Sequence, residues 1–465
     1  MELSKKNGQV QNETGKMKHP PGLYMLFFTE AWERFSYYGM RALLVLYLTT
    51  SLVSGGLGFN KAEAMSLYGT FTSLVYLTPL IGGYLSDKFL GQRLAITIGG
   101  ITMAAGQFAL FSNQSKGALY LGLFLLIIGN GFFKPNISTL VGQLYPEGDK
   151  RKDAAFTIFY MGINLGAFIA PFVCGTLAEQ IFAVRQGEQI IHYGFKFGFL
   201  AAGIGMVLGQ LIFNLLGNKY LGEIGKKPVG RAKSKDDKSS EEANRPLTAQ
   251  EKRRTAVIFI VTAFVVFFWA GFEQAGSSLT IYTKDFINRD AFGMQLPVSW
   301  FQSLNPVFIV LFAPIVGKIW MKLSNRPQGD MNIPTKMALG MVLLGIGFLL
   351  MVGACLQRGN AGDNVAVKAN ILWLVGAYFL HTMGELCLSP VGLSMVSKLA
   401  PKKLASLLMG VWLLSSSIAN KLAGVLASFM DSLGHIQIFG GIAVVSIVLG
   451  LVLLSLNKKL TAMME

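Results

Sequence analysis

Residues 30–41, EAWERFSYYGMR, set two carboxylates, two guanidiniums and two phenols inside a run that is otherwise apolar enough to cross a bilayer. A charged side chain at the centre of a membrane helix costs about 2.5–3.5 kcal/mol on insertion scales, so these groups must face one another or water. At about 100° per residue, Glu30, Arg34, Tyr37 and Arg41 share one stripe of a helix, with Glu33 and Tyr38 at its margins. Glu30 and Arg34 are also an i, i+4 pair, which offsets part of the insertion cost within the helix.

Further ionisable groups stand in apolar surroundings: Lys134 in GNGFFKPNISTL, Glu273 in FFWAGFEQAGSSL, Glu385 in GELCLSPVGLS, and Lys421 nearer a helix end. Bracing between helices would account for one such pair but not for the whole set. Pro135 directly after Lys134 weakens the helical ladder and leaves backbone groups in need of a partner. Tyr160 and Asn164 lie one turn apart in FYMGINLGAF, where Gly162 and Gly166 permit close helix contact; polar glue between helices is the competing role for that pair. Asn305 before Pro306 makes a polar break, Ser389 follows Glu385 by one turn, and Trp412 taken alone reads as packing. His381 reads as a core histidine, because no second histidine or cysteine stands at ligand spacing; no metal and no cofactor are expected.

Cations therefore line the first half of the chain and carboxylates the second. A zwitterion could bridge Arg34 and Lys134 to Glu385 through charge-assisted hydrogen bonds. A carboxyl group's hold on its proton rises on burial and falls beside a cation, so rearranging the helices would change proton affinity and couple protons to the ligand.

The elements that must position these groups follow from composition. The chain has 465 residues, 52% hydrophobic and 14% charged, well below the quarter or so expected of soluble domains. About twelve apolar runs are long enough to span a bilayer, near 22–52, 62–86, 93–112, 118–142, 153–182, 194–216, 254–284, 298–323, 333–356, 368–397, 403–430 and 437–457. The formal charge of +16 is distributed as the positive-inside rule requires, with most basic residues on one face: Lys16, Lys18, DKFLGQR, DKRKD, the linker, Lys402, Lys403 and the final NKK. It orients the protein and calls for no nucleic acid. Polar residues 217–254 divide the chain six helices and six, giving a cytoplasmic tail 1–21, a bundle 22–216, a linker 217–254, a bundle 255–457 and a tail 458–465. TPLIGGYLSDKFLGQR and APIVGKIWMKLSNRP close the second and eighth runs alike, as parallel six-helix repeats would. Gly83, Asp87, Gly91 and Arg93 are similar to the cytoplasmic loop motif of the major facilitator superfamily. No cleavable leader is expected before the first span. Cys174, Cys355 and Cys387, scattered in apolar segments, read as packing residues.

These motifs resemble the proton-dependent oligopeptide transporter family of that superfamily. E-x-x-E-R-F-x-Y-Y-G is complete at Glu30, Glu33, Arg34, Phe35, Tyr37, Tyr38 and Gly39, and KPNISTLVG, FYMGINLG, EQAGSSL, QSLNP and GELCLSPVGLS accompany it. The resemblance implies an all-α membrane protein of about twelve helices in two six-helix bundles, without the extra helix pair many bacterial members carry between them. It implies a symporter in the cell inner (plasma) membrane, both termini cytoplasmic, that takes up di- and tripeptides with protons by alternating access and works as a monomer. Arg34 and Lys134 would hold the peptide carboxylate, and Glu385, Asn164 and Asn305 the amino end. Tyr37, Tyr38, Tyr68, Tyr160 and Trp412 would shape side-chain pockets, with Glu273 and Ser389 also at the substrate. Glu30, Glu33 and Arg34 would couple protons, with Lys134 and Glu385 as a switchable salt bridge. Arg41 and Glu273 would pair as an outer gate. A carrier of another solute, such as nitrate, an amino acid or a drug, is the alternative on the same fold. A membrane hydrolase lacks a nucleophile–base set, and a receptor lacks a signalling domain of sufficient size.

Overall fold

A computed structural model of the protein describes residues 18–464, apart from 147, 188, 229–245, 328, 360–363, 402 and 403. Lys16, Lys402, Lys403 and the middle of the linker, all named above, lie outside the described residues.

The first bundle comprises α1 (Pro21–Thr49), α2 (Lys61–Leu85), α3 (Gln92–Ser112), α4 (Lys116–Gln143), α5 (Arg151–Thr176) and, after a short hairpin β1 (Val184–Gln186) and β2 (Gln189–His192), α6 (Phe195–Leu221). The second begins with a broken helix, α7 (Ala249–Phe272) and α8 (Ser278–Phe286), joined by a 3-10 turn over Glu273–Gly276. A small hairpin, β3 (Asp290–Ala291) and β4 (Met294–Gln295), and a 3-10 segment Val298–Ser303 lead into α9 (Leu304–Ser324). There follow α10 (Ile333–Gln357), α11 (Ile371–Leu399), α12 (Ala405–Ser428), the short α13 (Met430–Leu433), α14 (His435–Ser455) and α15 (Asn457–Met464).

Eleven of these stretches are apolar and long enough to cross a membrane. The first helix, α1, has 29 residues but is not among them, because the charges of residues 30–41 lower its hydropathy. Polar side chains fix where helices start. Asn60 accepts from the Glu63 N–H at 2.8 Å, Ser115 from Ala118 at 3.2 Å, and Thr248 with Glu251 forms a reciprocal capping box.

Three expected boundaries shift. The linker is shorter than 217–254 at both ends, since α6 continues to Leu221 and α7 starts at Ala249, where capping by Thr248 recruits charged residues into the helix. The last residues, expected as a tail, form α15, whose Leu460 is buried while Lys458 and Lys459 are exposed; the Met464 carbonyl accepts from Arg254 Nε at 2.9 Å. The run 254–284 is interrupted at Glu273 rather than continuous.

Each bundle has its own apolar core, yet Ile281, Val298 and Ala427 of the second bundle pack into the core of the first. In lipid there is little hydrophobic gain in pairing helices, so close backbone approach carries the packing. On α2 and α12 Gly69 and Gly424 stand back to back: a methyl group on Gly69 would lie 2.7 Å from the Gly424 Cα.

The start of α1, the end of α6, the start of α7 and α15 lie at one end of the bundles, here the terminal end; the loops carrying the two hairpins lie at the far end. Among the described residues, hydrogen bonds and ion pairs between the bundles run only from mid-helix to the far end. Ser73–Ser417 at 2.9 Å is the deepest, then Lys421 to Thr70 at 2.7 Å, and finally Lys61 to Asp285 at 3.4 Å and Lys284 to Thr50 at 3.2 Å.

Candidate functional site

Three groups of polar residues are stacked along the line between the bundles. The deepest in the first bundle is a knot on α1. Arg34 is buried and grips both carboxylate oxygens of Glu33, Nη2 to Oε1 at 2.6 Å and Nε to Oε2, while Nε also lies 3.2 Å from Glu30 Oε1. Asn130 of α4 adds a long contact to Glu33 Oε1 at 3.4 Å. The guanidinium stands 5.3 Å from the Tyr37 ring centroid. Glu33 is thus fully engaged, whereas Glu30 Oε2 is buried with no hydrogen-bond partner among the described residues. Close packing holds the knot: a methyl on Gly162 would lie 2.9 Å from the Phe27 carbonyl, so α5 lies directly against α1.

Between the bundles is a cavity of about 220 Å3. The first bundle contributes Tyr38, Arg41, Tyr76, Tyr160 and Asn164; the second contributes Trp269, Glu273, Gln302, Asn305, Tyr378, Thr382 and Glu385. Asn305 is the second residue of α9, so Pro306 falls in the first turn, where its missing N–H costs no helical bond. The Asn305 amide donates to Glu385 Oε2 at 2.7 Å and to Thr382 Oγ1 at 3.1 Å. Among the described residues no cation lies within 4 Å of Glu385, and its buried carboxylate is balanced by a neutral donor.

Lys134 does not pair with Glu385, contrary to the expected salt bridge. Its ammonium lies 4.2 Å from the centroid of Tyr76, whose ring forms cavity wall, and it has no ion-pair partner among the described residues. Glu385 lines the cavity and Lys134 does not, so the two groups stand apart with the Tyr76 ring on the cavity side of the lysine.

At the far side of the cavity Arg41 pairs with Glu273 and donates through Nε to the Tyr68 hydroxyl at 2.6 Å. Glu273 reaches this place because the chain leaves α7 in a 3-10 turn there. A side chain at Gly276 would collide with that hydroxyl and lie 3.1 Å from Arg41 Nη2, so only glycine fits beneath the pair.

The structure therefore brings Glu30, Glu33 and Arg34 together and joins Arg41 to Glu273. It sets Tyr38, Tyr160, Asn164, Asn305 and Glu385 around one cavity. Tyr37 and Tyr68 are 2% exposed and do not line it; Tyr68 belongs to the Arg41 pair and Tyr37 underlies the α1 knot. Ser389 and Trp412 are also absent from its wall, Trp412 lying against Gly392 of α11. Sequence reasoning missed Tyr76, Tyr378 and Thr382, which sit in ordinary apolar runs, and gave no site role to Trp269 and Gln302, although both lie in motifs quoted above. His381 lines the cavity in part but packs on Phe348, centroids 4.5 Å apart.

A family model described as POT family matches residues 93–234 and 232–442. An uncharacterized transporter, YclF, of Bacillus subtilis is 37% identical, covering 97% of this chain and 96% of its own. The di-/tripeptide transporter of Lactococcus lactis subsp. cremoris is 32% identical over 98% of this chain and 99% of its own. A crystal structure of a peptide transporter POT in complex with sulfate superposes with a TM-score of 0.85 at 33% identity, over 97% of each chain.

Proposed function

This chain belongs to the POT family and is a multi-pass membrane transporter, not an enzyme, and from that premise we propose that it is a proton-coupled symporter of di- and tripeptides. The observation that carries the proposal is the separation of opposite charges that form no ion pair among the described residues, Glu385 in the second bundle and Lys134 in the first. Glu385 lines the cavity hydrogen-bonded to Asn305, and Lys134 stands behind Tyr76; among the described residues neither makes an ion pair within 4 Å. A ligand with an ammonium at one end and a carboxylate at the other supplies both missing partners.

In this reading Glu385, with Asn164 and Asn305, receives the amino end, and Lys134 takes the carboxylate, joined by Arg34 when its grip on Glu33 loosens. Tyr38, Tyr76, Tyr160, Trp269 and Tyr378 form tolerant side-chain walls. Glu30, with one oxygen unengaged, is the better placed of the two α1 acids to carry the proton, and Glu33 holds Arg34 in place. The termini are cytoplasmic, in keeping with the basic residues at that end, so the far end faces outward. Arg41, Glu273 and Tyr68 close the outer path. The conformation described is then inward-facing, and alternating access requires the far-end bonds to break as terminal-end contacts form. The carrier acts as a monomer in the cell membrane.

The test is uptake of an alanyl dipeptide by purified protein in liposomes. Accumulation is expected only under an inward proton gradient or an inside-negative potential. Gradient-independent exchange alone, or no peptide uptake, would overturn the proposal.

A further inference from the structure

Beyond the gate pair on α1, a second buried carboxylate joins the bundles at the far end. Glu179 lies in a π turn, Leu177–Ile181, that continues α5 and is 1% exposed. All three of its side-chain hydrogen bonds come from the other bundle: the Val298 N–H to Oε2 at 2.8 Å, and the Ser299 N–H and hydroxyl to Oε1 at 3.1 and 2.7 Å. Those two N–H groups open the 3-10 segment Val298–Ser303 that feeds α9. Its own preceding residue, Pro297, gives no side-chain cap. The first N–H groups of a helix need acceptors and favour a negative charge, which is normally supplied by the residue just before it. Here the cap comes across the bundle interface.

The π turn is what makes this possible, since one extra residue in the turn re-aims the side chains that follow. The neighbours fit a tight seam. Trp300 Nε1 donates to Thr176 Oγ1 at 3.1 Å and Ser303 Oγ to the Phe168 carbonyl at 2.8 Å, both between α5 and the same 3-10 segment.

We propose that Glu179 is a positioning residue for the transport cycle, a borrowed helix cap that latches α5 to the start of α9 in the far-end-closed state and is released whenever that end opens. The proposal rests on the alternating-access reading but not on the identity of the substrate. When the bundles are joined, the carboxylate satisfies three donors that water cannot reach. When they part at the far end, water replaces it on both sides. Removing it therefore weakens only the closed state, because the donors stay buried there without an acceptor.

The test uses the full chain in liposomes, with the three native cysteines replaced by alanine and single cysteines added as reporters. Ile281→Cys reports the far end, since Ile281 is 2% exposed and packs into the opposite bundle's core. Phe156→Cys, at the terminal half of α5 and 37% exposed, reports the other side. A membrane-impermeant maleimide is applied from each side. In Glu179→Ala, labelling at 281 from the far side is expected to quicken about tenfold, with labelling at 156 slowed in step; Ser299→Ala, which removes one of three donors, should shift both in the same directions by about threefold. Added to Glu179→Ala, the Ser299→Ala change should have no further effect.

Unchanged labelling in both variants would overturn the latch. Faster labelling at both sites would also overturn it, because that marks a loosened fold rather than a shifted equilibrium. Should Glu179→Ala fail to fold, Ser299→Ala decides by the same two readouts. None of these measurements needs a substrate, so failure of peptide uptake would strike the substrate reading and leave this result standing.

Discussion

Replacing Glu385 by glutamine keeps the size of the side chain and its hydrogen bonding but removes the charge. Among the described residues that charge has no cation within 4 Å and one strong neutral donor, Asn305 at 2.7 Å. A substrate ammonium about 4 Å away interacts with the carboxylate by roughly 4 kcal/mol at an effective dielectric of 20. Part of this is spent desolvating the ammonium and competing with Asn305. The net value of a hydrogen bond to a charged group, about 1.5–3 kcal/mol, is the better figure, equal to roughly 10–150-fold in affinity. The assay is competition against a radiolabelled dipeptide in counterflow, which needs no gradient. Pairs of peptides with free and acetylated amino ends are compared in the parent and in Glu385→Gln. The free amine should lose that factor and the acetylated peptide little, so the preference for a free amine collapses. Equal losses for both, or a preference that survives, would refute the assignment of Glu385 to the amino end.

Other expectations follow from the same geometry. Glu30→Gln should abolish proton-driven accumulation while preserving counterflow, and Glu33→Gln, which frees Arg34, should impair both; the reverse pattern would exchange the roles of the two acids. Lys134→Gln should weaken dipeptides about tenfold or more relative to their carboxyl-amidated analogues in the same competition assay. Gly162→Ala should cost about 1–3 kcal/mol, because its methyl group would stand 2.9 Å from the Phe27 carbonyl; thermal unfolding in detergent should show the loss. On the loop between α4 and α5, hydrogen bonds from Arg151 hold the Asp149 carboxyl down at about 2. A depressed carboxyl contributes above its unfolded value of about 3.9 and is lost only as pH falls toward the folded one, so Asp149→Asn should leave the pH profile of uptake between about 5 and 8 unchanged.

The α1 stripe was legible because charges in an apolar run have few places to go, and helical periodicity then assigns Glu30, Arg34 and Arg41 to one side. Partners were harder. That Arg34 closes on its neighbour Glu33 as well as on Glu30 depends on rotamers rather than spacing. That Lys134 rests on Tyr76 instead of meeting Glu385 depends on which end of the molecule is shut. Tyr76, Trp269 and Tyr378 carry no signal, since an aromatic residue in a membrane helix serves lipid, core or cavity equally well. Glu179 carries no signal in the sequence, since a carboxylate at the end of a span is ordinary; its place comes from a π turn and a partner segment 120 residues away. The hairpins and α15 are too short to register against spans of 20 residues and more.

The back-to-back glycines of α2 and α12 have a mechanical meaning. With backbone against backbone, neither helix can move closer there, and the side-chain bonds Lys421–Thr70 and Ser73–Ser417 lie beside the contact rather than in it, so the contact has the properties of a fulcrum. Gly69 is eight residues from the far end of α2 and sixteen from Leu85, which at 1.5 Å per residue gives lever arms of about 12 and 24 Å. The arms are unequal. For each ångström the helix pair would spread at the far end, it would converge by about two at the terminal end, so a modest opening at one end would suffice to close a wider one at the other.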